Sequence, residues 1–128
     1  SCSGDRAAAQ AVLADGRLAL LAGNDDELFD QLARGAAGGI TASAHLATRQ
    51  FVALQRAFAG EQLDVARALW RRLAPLTRAA FAEPNPAPVK GALARQGLIV
   101  DGLRAPMTTA RDDSVQRLIQ LADAAPAT

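Results

Sequence analysis

Apolar positions along the chain fall into stripes at helical spacing, interrupted by two short continuous runs. Asp5 predicts the cap of a helix over residues 6–14, with Gly16 as its stop. Residues 18–22 are an uninterrupted apolar run closed by Gly23, as in a buried strand. Asn24, Asp25 and Asp26 then crowd capping and acidic residues at the start of a second helix, which carries Leu28 and Leu32 on one face and ends at Gly35. Gly38 and Gly39 lead into a second candidate strand at 40–43. A third helix sets Phe51, Leu54 and Phe58 on one stripe and stops near Gly60. A longer one repeats Val65, Leu69, Leu73 and Leu76 through about Phe81.

Residues 83–88 are a proline-rich break, because proline fixes φ and offers no amide. A short helix over 88–96 follows, with proline at its amino-terminal end and Gly97 beyond it. Thr109 and Asp112 form a capping-box pattern before a last stripe of Val115, Leu118 and Leu121. The tail after Ala124 is expected to fray. Strands alternating with helices predict parallel strand–helix–strand units, hence an α/β fold. Two strands are too few for an independent parallel sheet covered on both faces, so further strands are expected from outside these 128 residues.

Half of the residues are hydrophobic and alanine is abundant, which favours a helix-rich domain with a packed core. The formal net charge of +1 gives no field to draw nucleic acid or an anionic membrane, so neither is expected as a partner. No apolar run approaches the roughly 18 residues of a membrane span. Cys2 is the only cysteine, so an internal disulfide and zinc-type spacings are excluded and a reducing cytoplasm fits. Cys2 has no basic or histidine neighbour to activate it and reads as buried or incidental.

Four stretches, in order, carry a resemblance: Ser3-Gly4-Asp5, Leu20-Leu21-Ala22-Gly23-Asn24-Asp25, Gly35-Ala36-Ala37-Gly38-Gly39-Ile40-Thr41 and Glu83-Pro84-Asn85-Pro86-Ala87-Pro88-Val89-Lys90. Leu103-Arg104-Ala105-Pro106-Met107-Thr108 is a weaker fifth. Together they resemble the dihydrodipicolinate synthase and N-acetylneuraminate lyase superfamily of class I aldolases. The eight-residue proline signature favours the synthase branch. The resemblance implies the carboxy-terminal part of a (β/α)8 TIM barrel. Residues 1–60 would be the end of strand six through helix eight, with the last two strands and their helices, and residues 61–128 a helical extension.

What the resemblance implies about chemistry is mostly upstream. The Schiff-base lysine would immediately precede Ser1, so no catalytic residue is expected within the chain, and the chain alone is expected to be inactive. Lys90 is the single lysine; the family's proline-signature lysine is not the nucleophile, and Lys90 reads as structural. The family's proton-relaying threonine and tyrosines also lie upstream, and this sequence has no tyrosine. Gly23 and Ile40 match positions whose main-chain groups face the pyruvate carboxylate and the Schiff base. A tight turn and a core side chain are compatible roles for the same two residues.

The remaining candidates favour ordinary explanations. Asp25 and Asp26 read as helix-start acids, with a lesser substrate-binding role because acids here contact sugar hydroxyls in the lyase branch. His45, the single histidine, stands where many relatives carry asparagine; it lacks partners for a triad or a metal site and reads as structural. Trp70 reads as packing and Arg71–Arg72 as a solvated pair. The implied function is that of a pyruvate-dependent aldolase, most simply 4-hydroxy-tetrahydrodipicolinate synthase, joining pyruvate to aspartate semialdehyde in lysine biosynthesis, without cofactor or metal. The alternatives are an aldolase acting on a 2-keto-3-deoxy sugar acid, or a non-catalytic helical assembly fragment. Expected partners are pyruvate, a small aldehyde, and either copies of the chain (the intact family forms tetramers) or the missing amino-terminal half. Unpaired strand edges and bare apolar surface argue against a compact monomer.

Overall fold

A computed structural model describes residues 5–125. Helix α1 spans Arg6–Asp15. The Asp5 carboxylate accepts the Ala8 amide at 3.0 Å, and Gly16, at φ 68°, returns its amide to the Val12 carbonyl. Both caps stand where the sequence places them. The helix packs Ala9 against Leu20 and Ala36, with Val12 and Leu13 alongside.

Two short strands follow, β1 (Leu21–Ala22) and β2 (Gly38–Gly39). They pair in parallel, Leu21 opposite Gly38 and Ala22 opposite Gly39. Flanking bonds extend the pairing: the Ala37 amide donates to the Leu20 carbonyl at 2.9 Å and the Ile40 amide to the Ala22 carbonyl at 2.8 Å. Between the strands runs a 3₁₀ turn, Asp25–Glu27, and helix α2, Leu28–Ala33. Gly35, at φ 103°, reverses the chain where α2 ends, a conformation that favours glycine. Gly39 is held close: a β-carbon there would lie 2.6 Å from Leu28 Cδ1.

The strands are shorter and differently placed than expected. The run 18–22 is extended only at its end, and Leu18 is exposed. The second strand precedes 40–43 rather than occupying it. Ala42 is already helical in φ and ψ, and Ser43–His45 is a 3₁₀ turn. The cause is a long-range competitor: the Asp25 carboxylate takes the amides of Ala42 and Ser43, bending the chain out of the ladder.

The rest is helical: α3 (Thr48–Ala59), α4 (Leu63–Ala80), α5 (Ala87–Arg95) and α6 (Asp112–Asp123). Phe51 and Leu54 of α3, Leu73 and Leu76 of α4, and Val115 and Leu118 of α6 form the main core, and α2 joins it through Leu28 and Leu32. Trp70 stacks on Phe29 at 5.8 Å, and Phe58 meets Phe29 edge-on at 5.0 Å, the packing role expected of the tryptophan. Val65 lies outside this core and is largely exposed; Ala66 takes the buried place beside it.

Helix α6 starts at Asp112, but Thr109 does not cap it. The first position before the helix is Arg111, whose side chain makes no cap. Instead the Glu83 carboxylate, from the proline-rich break, accepts the Arg111 amide at 3.2 Å. A long-range acceptor thus replaces the local capping box. At the far end Ala125 is buried and its carbonyl accepts a bond from the Gln50 side chain, so the first residue expected to fray is tied down. Among the described residues, no helix is long and apolar enough to cross a membrane.

Candidate functional site

The parallel register brings the two sequence-predicted positions side by side. Ala22 and Gly39 are partners, so Gly23 and Ile40 are the next residues out along the two strands. Gly23 is half-buried, and its amide makes no hydrogen bond among the described residues. The Ile40 amide is committed to the Ala22 carbonyl. The Ile40 side chain is 74% exposed, so the core role considered for it is not realised here. The reason is geometric: β2 has β1 on one side, and no third strand among the described residues covers the other.

Just beyond this pair sits the most buried acid of the region. Asp25 is 2% exposed. Its Oδ1 accepts the Ala42 amide at 3.1 Å, and its Oδ2 accepts the Ser43 amide at 2.7 Å together with the Ser43 hydroxyl. Asp25 stands in the acidic first turn expected of it, but its carboxylate does not cap that turn. Its oxygens serve donors 17 and 18 residues away, and Asn24, before the turn, makes no side-chain cap. The desolvation of a buried carboxylate is offset by such charge-assisted bonds. Asp26, in contrast, is exposed. Sequence reading could not have found this contact. The one available signal is weak: Ser43, a small hydroxyl residue just past a strand.

The other candidates separate from this pair. Lys90 lies on α5 and its ammonium donates to the Gly102 carbonyl, the structural role expected of it. His45 is exposed in its 3₁₀ turn, so it plays no packing role. Arg71 and Arg72 are solvated on α4. Cys2 and the Ser3-Gly4 part of the first motif lie outside the described residues. No group of three or more His, Cys, Asp or Glu that could hold a metal ion occurs among the described residues. A groove of about 290 Å³ lies between the strand pair and α3, lined by Leu21, Gly38, Gly39, Thr41, Phe51 and Val52 among others.

What the pair can do chemically is limited and specific. A glycine amide with no partner among the described residues suits close approach of an anionic group, since no side chain intervenes. A neighbouring backbone segment held in register supplies a second polar edge. Neither position offers a nucleophile or a general base, so a covalent step needs groups from elsewhere.

The profile of the dihydrodipicolinate synthetase family matches residues 1–125. The 4-hydroxy-tetrahydrodipicolinate synthase of Marinobacter nauticus is 42% identical over 95 residues, covering 73% of this chain and 32% of its own length. The enzyme of the same name from Methanothrix thermoacetophila is 39% identical over 105 residues, 82% of this chain and 36% of its own. The crystal structure of dihydrodipicolinate synthase from Thermotoga maritima superposes with a TM-score of 0.88 at 30% identity, covering 98% of this chain and 44% of that one. The chain therefore spans about a third of the length of these relatives. With a profile matched over nearly its whole length and relatives near 40% identity, the chain belongs to the dihydrodipicolinate synthetase family.

Proposed function

We propose that this chain supplies the last two strands, their helices and the helical extension of a (β/α)8 barrel that works as a 4-hydroxy-tetrahydrodipicolinate synthase. Residues 1–60 form the barrel portion and 61–128 the extension. The observation that carries the reading is the parallel β1–β2 pair, which sets Gly23 and Ile40 next to each other in register at one end of the strands. Barrel enzymes place their sites at that kind of end. In this assignment the Gly23 and Ile40 main chains face the pyruvate carboxylate and the Schiff base. The amine that condenses with pyruvate belongs to the barrel segment that precedes residue 1. Water leaves as the imine forms, loss of a methyl proton gives the enamine, and its carbon attacks the aldehyde, which we take to be aspartate semialdehyde.

The surface agrees with a barrel completed by another segment. Leu21 and Val52 are exposed at the groove and Ile40 just past β2, where a neighbouring strand and helix would bury them. Association, with that segment or between copies, follows from the same bare surface. The lone cysteine accords with a cytoplasmic setting.

The test is a chimera in which these 128 residues replace the matching 44% of the Thermotoga maritima synthase. Pyruvate with borohydride should leave one reduced pyruvate adduct on the chimera and none on the 128-residue chain alone. A folded chimera that traps no pyruvate, or a chain that turns over alone, contradicts the assignment.

A further inference from the structure

We infer that Asp25 is a positioning residue, whose buried carboxylate fixes the spacing between the Gly23 and Ile40 backbones and thereby the affinity for pyruvate. The inference rests on the pyruvate reading above and deepens it.

The geometry is a closed frame. Asp25 follows Gly23 by two residues and Ala42 follows Ile40 by two. On the strand side the frame is closed by the Ile40 amide on the Ala22 carbonyl at 2.8 Å. On the loop side it is closed by the Asp25 carboxylate on the amides of Ala42 and Ser43, at 3.1 and 2.7 Å. Gly23 and Ile40 are held between these two closures. Without the second, each would sit at the free end of a two-residue strand. Burial matters as much as the bonds. Asp25 is 2% exposed and Ser43 is fully buried, so water cannot readily replace either partner. None of the three donors belongs to the turn that Asp25 begins, so local helix capping does not account for the arrangement.

Two substitutions test the frame from opposite sides. In Asp25→Asn one carboxylate oxygen becomes an NH₂ group that faces a donor. In Ala42→Pro the Ala42 amide is removed while Asp25 is untouched, and the native φ of −69° already suits proline. Both are made in the chimera, with thermal melting to select folded protein. Loss of one or two bonds to a buried carboxylate should raise the KM for pyruvate by about tenfold or more, leave the KM for the aldehyde within about twofold, and slow borohydride trapping at low pyruvate by the same factor. A merely structural role lowers the yield of folded enzyme and leaves the pyruvate KM of that fraction unchanged. That outcome in either variant, or both constants rising together, overturns the inference. A parental chimera that traps no pyruvate refutes the underlying reading instead.

Discussion

Alanine at Gly91 puts the packing of α5 on α6 to a quantitative test. Gly91 is buried in α5, and a β-carbon there would lie 2.7 Å from Val115 Cγ2. Unstrained carbon contacts begin near about 3.5 Å, so the methyl groups would overlap by roughly 1 Å. Val115 is itself buried, and its β-branched side chain has little rotamer freedom in a helix. Overpacking of this kind costs about 1–3 kcal/mol. Replacing glycine by alanine inside a helix returns about 1 kcal/mol. The net expectation for Gly91→Ala is a loss of about 1 kcal/mol in urea unfolding. The sharper test is a double-mutant cycle. With Val115→Ala the opposing methyls are gone, and Gly91→Ala should become stabilising by about 1 kcal/mol. The sign should therefore invert between backgrounds. Stabilisation by the same amount in both would mean that α5 and α6 are not in contact at this point.

Glu83→Ala removes the acceptor for the Arg111 amide at the start of α6; unfolding should cost about 1 kcal/mol, with the amides of the first turn exchanging faster, and an unchanged exchange pattern would contradict the cap. Asp113, fully exposed, has its carboxyl held below the ordinary value of 3.8, chiefly by the Ser114 amide and further by the Arg111 guanidinium. Because the folded value is the lower one, its contribution is present above the ordinary carboxylate value and is lost as pH falls through the folded one. Its titration followed by NMR should show a lowered midpoint in folded protein, and a midpoint at or above the ordinary value would refute the cause assigned.

What could be read from the sequence was local. Asp5, Gly16, Gly35 and Gly97 mark turns and caps because each acts within a few residues of itself, and all four stand where expected. The helical stripes were legible because period and burial coincide at Phe51, Leu54, Leu73 and Leu118. Reading failed where a distant group outcompeted a local one. Asp25 turns 40–43 away from strand geometry from 17 and 18 residues off, and the Arg111 amide goes to Glu83, 28 residues off, where a local capping box at Thr109 was expected. Val65 kept the helical period but lines an open groove beside α3 rather than the closed core. Of the proposed site, the two backbone positions come from family resemblance, and the register sets them at one end of the strand pair. The buried carboxylate that frames them was not legible, since its sequence context looks like an ordinary helix start.

The reach of Glu83 also bears on how the chain tolerates change in length. The segment between α5 and α6 is fastened near its middle, by Lys90 to the Gly102 carbonyl, and at its end, by Glu83 to the Arg111 amide. Between those two points the residues are mostly exposed, and Ala110 is one that packs against the main core. Loop closure grows only slowly with length, by about 0.6 kcal/mol for each doubling. Residues inserted between Gly102 and Arg111 should therefore leave the helical extension nearly as stable. In this chain the stretch can therefore change in length while the helices keep their places.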